Sequence, residues 1–338
     1  MPHARRRSVA AAGLALAATL ALAPAAPAAT PHPGPAAARA ADARVSTAYV
    51  LPGDRVYPEG IGADPRSGAL FVSSFTTGAI YRITPGRHTA EVFLPAGTDG
   101  RTTAGGLKVD RAGHLWVVDK EGVSVYRTHD RRLVARFEPP RPGGWLNDVA
   151  IAPDGSAYLT DSLLGLVYRV TPAELREAAS GDRRASLRTG FDLFAALGPQ
   201  PADEFALNGI VVDPAGRFVL TVDMVGGRLY RLDTASGEVR EVALKGAALT
   251  HADGLELRHR TLWVAQNRSN TISRLRLSGD GRAARLERSV TDPELRVPTT
   301  LVRRDGRLLV VRSQFDKGGP MGPGTPDQPF TVAAVHGI

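Results

Sequence analysis

The sequence predicts an all-β fold, a six-bladed β-propeller with a short helical insertion in the third blade, and three observations carry that prediction. First, the order Glu59-Gly60-Ile61, Asp64-Pro65, Gly68, Ala69-Leu70-Phe71-Val72 and Ile80-Tyr81-Arg82-Ile83 recurs along the chain. Second, the copies begin at residues 59, 105, 147, 208, 253 and 299, spaced by 46, 42, 61, 45 and 46 residues. Third, Asp-Pro or Pro-Asp followed by Gly separates the first two strands of three of the six copies, and Asp followed by Gly those of two more, the turn chemistry that short antiparallel strands need. A single unit of this kind cannot bury both of its faces, so six stacked around an axis complete one another's core.

The elements follow in order. Arg5, Arg6 and Arg7 precede an uncharged run from Val9 to Leu22, and small residues with two Ala-Pro-Ala steps end it. Residues 1–29 therefore read as a secretory signal peptide, with Arg6-Arg7 also compatible with twin-arginine export. The apolar run is too short to span a bilayer, which takes about 20 residues. Residues 30–44 are rich in Ala and Pro and read as a linker, and the propeller is expected over 45–338. The segment Ser46–Leu51 is placed against Phe330–Val335, closing the ring. The second copy carries His114-Leu115-Trp116-Val117 and Val125-Tyr126-Arg127, and the third runs from Asn147-Asp148-Val149 to Val167-Tyr168-Arg169-Val170. Asn208-Gly209-Ile210, Asp253-Gly254-Leu255 and Thr299-Thr300-Leu301 open the remaining three. The long step between the third and fourth copies holds an insert, residues 171–205. Thr171 can cap a helix there and Pro172 suits its first position. It reads as a surface elaboration, or more sharply as a flap beside the tunnel mouth.

Composition narrows the function. Of 338 residues 43% are hydrophobic and 22% charged, which suits a packed core rather than a disordered chain. There is no cysteine, which removes disulfides, thiolate metal sites and cysteine nucleophiles. Loss of residues 1–29 would lower the net charge from +8 to +5, and the other arginines are scattered rather than gathered on one face. Nucleic-acid binding is not expected from that pattern, nor is a membrane span. We read the protein as an exported monomer acting on a small molecule. His88, His114, His129 and His259 fall in turns or strand edges and receive no functional reading.

The residues at the start of the six copies are Glu59, Gly105, Asn147, Asn208, Asp253 and Thr299. Equivalent propeller positions lie on a ring around the axis, so these converge. Asn and Asp also serve tight turns, but that explains one or two positions and not a Glu. Glu59 and Asp253 bring two negative charges and Asn147 and Asn208 neutral oxygens, the donor set of a divalent cation. All-oxygen ligation favours Ca²⁺, with Mg²⁺, Mn²⁺ or Zn²⁺ as alternatives.

Pro58-Glu59-Gly60, Leu146-Asn147-Asp148, Leu207-Asn208-Gly209 and Ala252-Asp253-Gly254 resemble the regucalcin/gluconolactonase family, also called the senescence marker protein family, over about residues 45–338. Pro298-Thr299-Thr300 is similar to its sixth-blade start. The resemblance implies that Glu59, Asn147, Asn208 and Asp253 hold a catalytic cation at one end of the tunnel and that the activity is lactone hydrolysis. It also makes Asp148 a candidate ligand of a second cation. The chain departs from the family's sugar-acid lactonases at Trp145, where they carry arginine, and Trp145 better suits an apolar or aromatic substrate portion. His251, two residues before Asp253, is a second candidate contact. On this reading the cation polarises the carbonyl of a cyclic ester while Asp253 activates water. No Gly-x-Ser-x-Gly elbow supports a serine esterase. The alternative is an exported, non-catalytic ligand-binding propeller with a structural calcium.

Overall fold

The computed structural model describes residues 43–200 and 204–338, so the expected signal peptide and nearly all of the expected linker lie outside the described residues. The rest forms six sheets, each an antiparallel blade and two of them with one added parallel strand at the outer edge, and an inner strand opens each blade. Blade one comprises Pro58–Ala63, Leu70–Ser74, Ile80–Ile83 and Glu91–Leu94. The inner strands of the others are Leu107–Val109, Leu146–Ile151, Leu207–Val212, Ala252–Arg258 and Pro298–Arg304. On these strands Ile61, Leu107, Val149, Ile210, Leu255 and Leu301 are fully buried. Six apolar clusters fill the six seams between neighbouring blades. Phe71, Ile80 and Phe93 of blade one meet Leu107 and Leu115 of blade two, for example, and Val211 and Leu220 of blade four meet Leu255 and Leu262 of blade five. The core is thus shared between blades rather than held within any one.

The ring closes as expected. Arg44–Leu51 pairs antiparallel with Phe330–His336, with Leu51 opposite Phe330 and Val45 opposite Val335, so the first described strand is the outermost strand of blade six. Leu51 and Phe330 are fully buried in the seam between blades six and one.

The insert behaves in two ways. Helix α1 (Pro172–Ser180) starts at Thr171, whose hydroxyl accepts the Glu174 N–H while the Glu174 carboxylate accepts the Thr171 N–H, a reciprocal cap. Leu175 and Ala178 then plug the seam between blades two and three. Arg184–Ser186 adds a parallel fifth strand to the outer edge of blade two, and Arg188–Asp192 is the outermost strand of blade three. Helix α1 therefore lies at the outer rim, where the surface-elaboration reading puts it. Among the described residues of the insert, Phe205 at its end is the one that lines the cavity.

Candidate functional site

Five inner strands share one irregularity. In blade three Leu146 pairs with Asp161 but Val149 pairs with Leu159, so three steps on the inner strand oppose two on its partner. The same bulge occurs between Pro58 and Ile61, Leu207 and Ile210, Ala252 and Leu255, and Pro298 and Leu301. In blade two Gly105 and Gly106 both bond to Val118, the Gly105 N–H donating to its carbonyl and its own N–H donating to Gly106. A bulge adds a residue and re-aims side chains at the end of a ladder. Here it falls on the Glu59, Asn147, Asn208, Asp253 and Thr299 positions. Close packing of the inner strands makes this possible: a Cβ on Gly209 would come within 2.1 Å of the Asp253 carbonyl oxygen.

Glu59, Asn147, Asn208 and Asp253 are buried and line one cavity of about 210 Å³. Their polar atoms are arranged unequally. Asn147 Nδ2 donates to Ser162 Oγ at 3.0 Å, and Ser162 Oγ donates in turn to the Leu207 carbonyl. Asn208 Nδ2 is directed to Met224 Sδ at 3.2 Å. Both amide groups are anchored through nitrogen, which leaves their carbonyl oxygens free. Asp253 Oδ2 accepts from Asn267 Nδ2 at 2.7 Å. Among the described residues, Glu59 Oε2 and Lys108 Nζ are buried with no hydrogen-bond partner. Thr299 belongs to the ring by sequence but is committed elsewhere, its hydroxyl donating to the Glu59 carbonyl at 2.8 Å.

Burial raises the Glu59 carboxyl well above the usual range, and repulsion from Asp253 and Asp148 adds to it while the Lys108 charge opposes it. Asp253 is pushed up to about 8 by burial and by the Asp148 charge, against the Asn267 hydrogen bond. An unpaired buried carboxylate oxygen, a second raised carboxyl and two free amide oxygens suit a hard divalent cation, so the residues present fit one. The fit depends on the amides. Among the described residues no group of three or more His, Cys, Asp or Glu side chains is arranged to hold a metal.

A family model described as the SMP-30/gluconolactonase/LRE-like region matches residues 57–284. The chain belongs to that family. No curated protein matches it in sequence. Among solved structures, a regucalcin from Agrobacterium tumefaciens, described as calcium-binding, is 16% identical with a TM-score of 0.59, covering 87% of this chain and 96% of its own. A gluconolactonase from Xanthomonas campestris is 18% identical with a TM-score of 0.59, covering 88% and 91%. The virginiamycin B lyase of Staphylococcus aureus is 13% identical with a TM-score of 0.56, covering 87% and 99%. At these identities the likeness establishes a shared fold and not a shared reaction.

Within this SMP-30/gluconolactonase/LRE-like propeller the other sequence candidates separate. Trp145 lines the cavity. Asp148 does not. It is buried beside the ring, with Oδ1 accepting the Val149 N–H at 2.8 Å and Oδ2 the Ile210 N–H at 3.4 Å, and the Lys108 charge acts on it. His251 is also absent from the lining. With φ of 60° it forms the turn leading into Asp253, its N–H donating to the Met224 carbonyl and its own carbonyl accepting from Asn267.

A second ring escaped the sequence reading. The residue just after the second strand of each blade is Phe75, Lys120, Ser162, Met224, Asn267 and Ser313. Ser162, Met224 and Asn267 hold Asn147, Asn208 and Asp253, while Phe75 and Lys120 line the cavity with Met224 and Asn267. The same six-fold alignment, read one strand further on, points to these positions. Phe315, Pro320 and Met321 come from the blade-six segment 313–329, which has no counterpart in the other blades to align with.

Proposed function

We propose that this chain is an exported, divalent-cation-dependent lactonase, with Ca²⁺ the expected cation. The observation that carries the proposal is the buried Glu59 Oε2, without a partner, in one cavity with Asp253 and with two Asn side chains anchored through nitrogen. Glu59, Asn147, Asn208 and Asp253 would hold the cation, which supplies polarisation of the ester carbonyl and charge to offset the oxyanion. Asn267 holds Asp253 through Oδ2, and Oδ1 would take a proton from water. The water oxygen adds to the acyl carbon, the ring C–O bond breaks, and the proton passes to the departing alkoxide, giving the hydroxy acid. Gluconolactonase and regucalcin as fold relatives support this reading.

Turnover of a lactone should vanish with chelator and return with Ca²⁺. Asp253→Asn should lose about 10²–10⁴ in kcat while the protein stays folded by circular dichroism. Tight cation binding that raises Tm with no turnover on any lactone would instead mark a ligand-binding propeller. Export rests on the charged, apolar and small-residue order of residues 1–29, and sequencing the N-terminus of protein recovered outside the cytoplasm tests it.

A further inference from the structure

The chemistry proposed above uses only the floor of the cavity, and its walls have a different character. Trp145 packs against Phe205 with ring centroids 5.1 Å apart and stacks with Phe75 at 6.4 Å, and Phe75 meets Phe315 at 5.1 Å. These four rings come from four places in the chain: the end of the insert, the approach to blade three, the turn after the second strand of blade one, and the long segment of blade six. They form one continuous band at the cavity, and Met224 and Met321 extend it. The blade-six part of the band is held in place. Tyr57 Oη donates to the Lys317 carbonyl at 2.9 Å, Gln314 and Asp327 exchange two hydrogen bonds, and Lys317 Nζ reaches Asp327 at 2.7 Å.

The polar atoms on these walls are few. Asn267 is already engaged at both ends of its amide, donating to Asp253 and accepting the Arg268 N–H at 2.6 Å. Among the described residues, and apart from the four proposed ligands and Asn267, the polar groups on the lining are the Thr103, Lys120 and Arg268 side chains and the Trp145 indole N–H. A ligand hydroxyl laid against the ring faces of the aromatic band would lose water without gaining a partner, whereas a ring or alkyl group there gains burial and aromatic contact. We infer that the site selects a lactone bearing an aromatic or bulky apolar substituent and discriminates against a polyhydroxylated sugar-acid lactone. The inference rests on the hydrolase reading for its chemistry but concerns the walls and not the floor.

Three lactones with the same six-membered ring test it: δ-valerolactone, δ-phenyl-δ-valerolactone and glucono-δ-lactone. Acid release by the Ca²⁺-loaded protein is measured above the spontaneous rate. The phenyl lactone should exceed the glucono-lactone in kcat/KM by about a hundredfold, with the unsubstituted ring between them. Trp145→Ala should bring that ratio to within about tenfold. A parallel titration calorimetry experiment compares the two product acids, 5-hydroxy-5-phenylpentanoate and gluconate, and needs no turnover. Equal turnover of the phenyl and glucono lactones overturns the inference while leaving the hydrolase standing. No turnover, with preferential binding of the phenyl acid, removes the hydrolase and keeps the apolar preference. No turnover and no preference removes both.

Discussion

Glu59 and Asp253 share one buried site with Asp148 close enough to repel both, so in the absence of a cation protons stay on them at pH values where exposed carboxyls are ionised. The unfolded chain releases these protons near pH 4, roughly the ordinary carboxyl value. The folded protein holds the one on Asp253 up to about pH 8, and Glu59 moves in the same direction. Stability from this source is therefore full below about pH 4 and is lost as pH rises towards 8. A bound cation displaces the protons, so its affinity rises with pH across the same window. Differential scanning fluorimetry should show Tm in chelator falling between about pH 5 and 8, more gently in Glu59→Gln. Excess Ca²⁺ should raise Tm more at the upper end, and Glu59→Gln should weaken Ca²⁺ binding by at least about tenfold. A Ca²⁺ effect that is the same at both ends would mean that these carboxyls do not meet the cation. At this scale the four proposed ligands were legible because a repeat aligns them. Phe205 and Phe315 were not, since they lie in segments present in one blade each, and no period marks them.

The bulge at the head of the inner strands places two consecutive residues where a regular ladder has room for one, and small residues make it feasible. Gly209 follows Asn208, and its missing side chain lets the inner strand of blade four lie against that of blade five. Gly209→Ala would drive a methyl into the Asp253 carbonyl, and no flexible side chain can yield there. Overpacking of this kind costs about 1–3 kcal/mol, and because the displaced backbone belongs to Asp253, cation affinity should fall with it. Gly279 offers the control, since a Cβ there meets nothing within 4 Å. Urea denaturation and calcium titration of both variants should show Gly209→Ala losing stability and affinity together and Gly279→Ala losing neither. The strands themselves were legible from apolar runs between Asp, Pro and Gly turns. The bulge was not, because its mark is only a polar residue beside a small one, a pair common in loops. Helix α1 was legible from Thr171 and Pro172, yet its place at the outer rim depends on Leu175 and Ala178 finding a seam between two blades.

For the whole molecule, six seams carry the core, and the one between blades six and one is sealed by the two ends of the propeller. Leu51 is fully buried there, so Leu51→Ala should cost about 2–5 kcal/mol by urea denaturation, the range for emptying a packed leucine site. A loss under about 1 kcal/mol would mean that the outer strand contributes little to closure. The six-fold architecture was readable from the recurring strand order, its spacing and its turns, because a repeat near forty residues has few ways to bury itself, and the closing strand from the unpaired apolar segments at the two ends of the repeat. The extra parallel strands on blades two and five were not, since Arg184–Ser186 and Ala243–Lys245 are short connecting segments that become strands only against an existing edge. The seam also orders events in time. A nascent chain that has not yet made Phe330–His336 leaves Arg44–Leu51 and Arg307–Arg312 as bare edges with nothing between them. Glu59 belongs to the blade on one side of that gap, and Thr299, which grips its carbonyl, to the blade on the other. Until synthesis has passed Phe330–His336 the cavity floor lacks its support from blade six, so a chain that stops or is clipped ahead of that strand would have neither a protected edge nor a fully supported set of the proposed ligands.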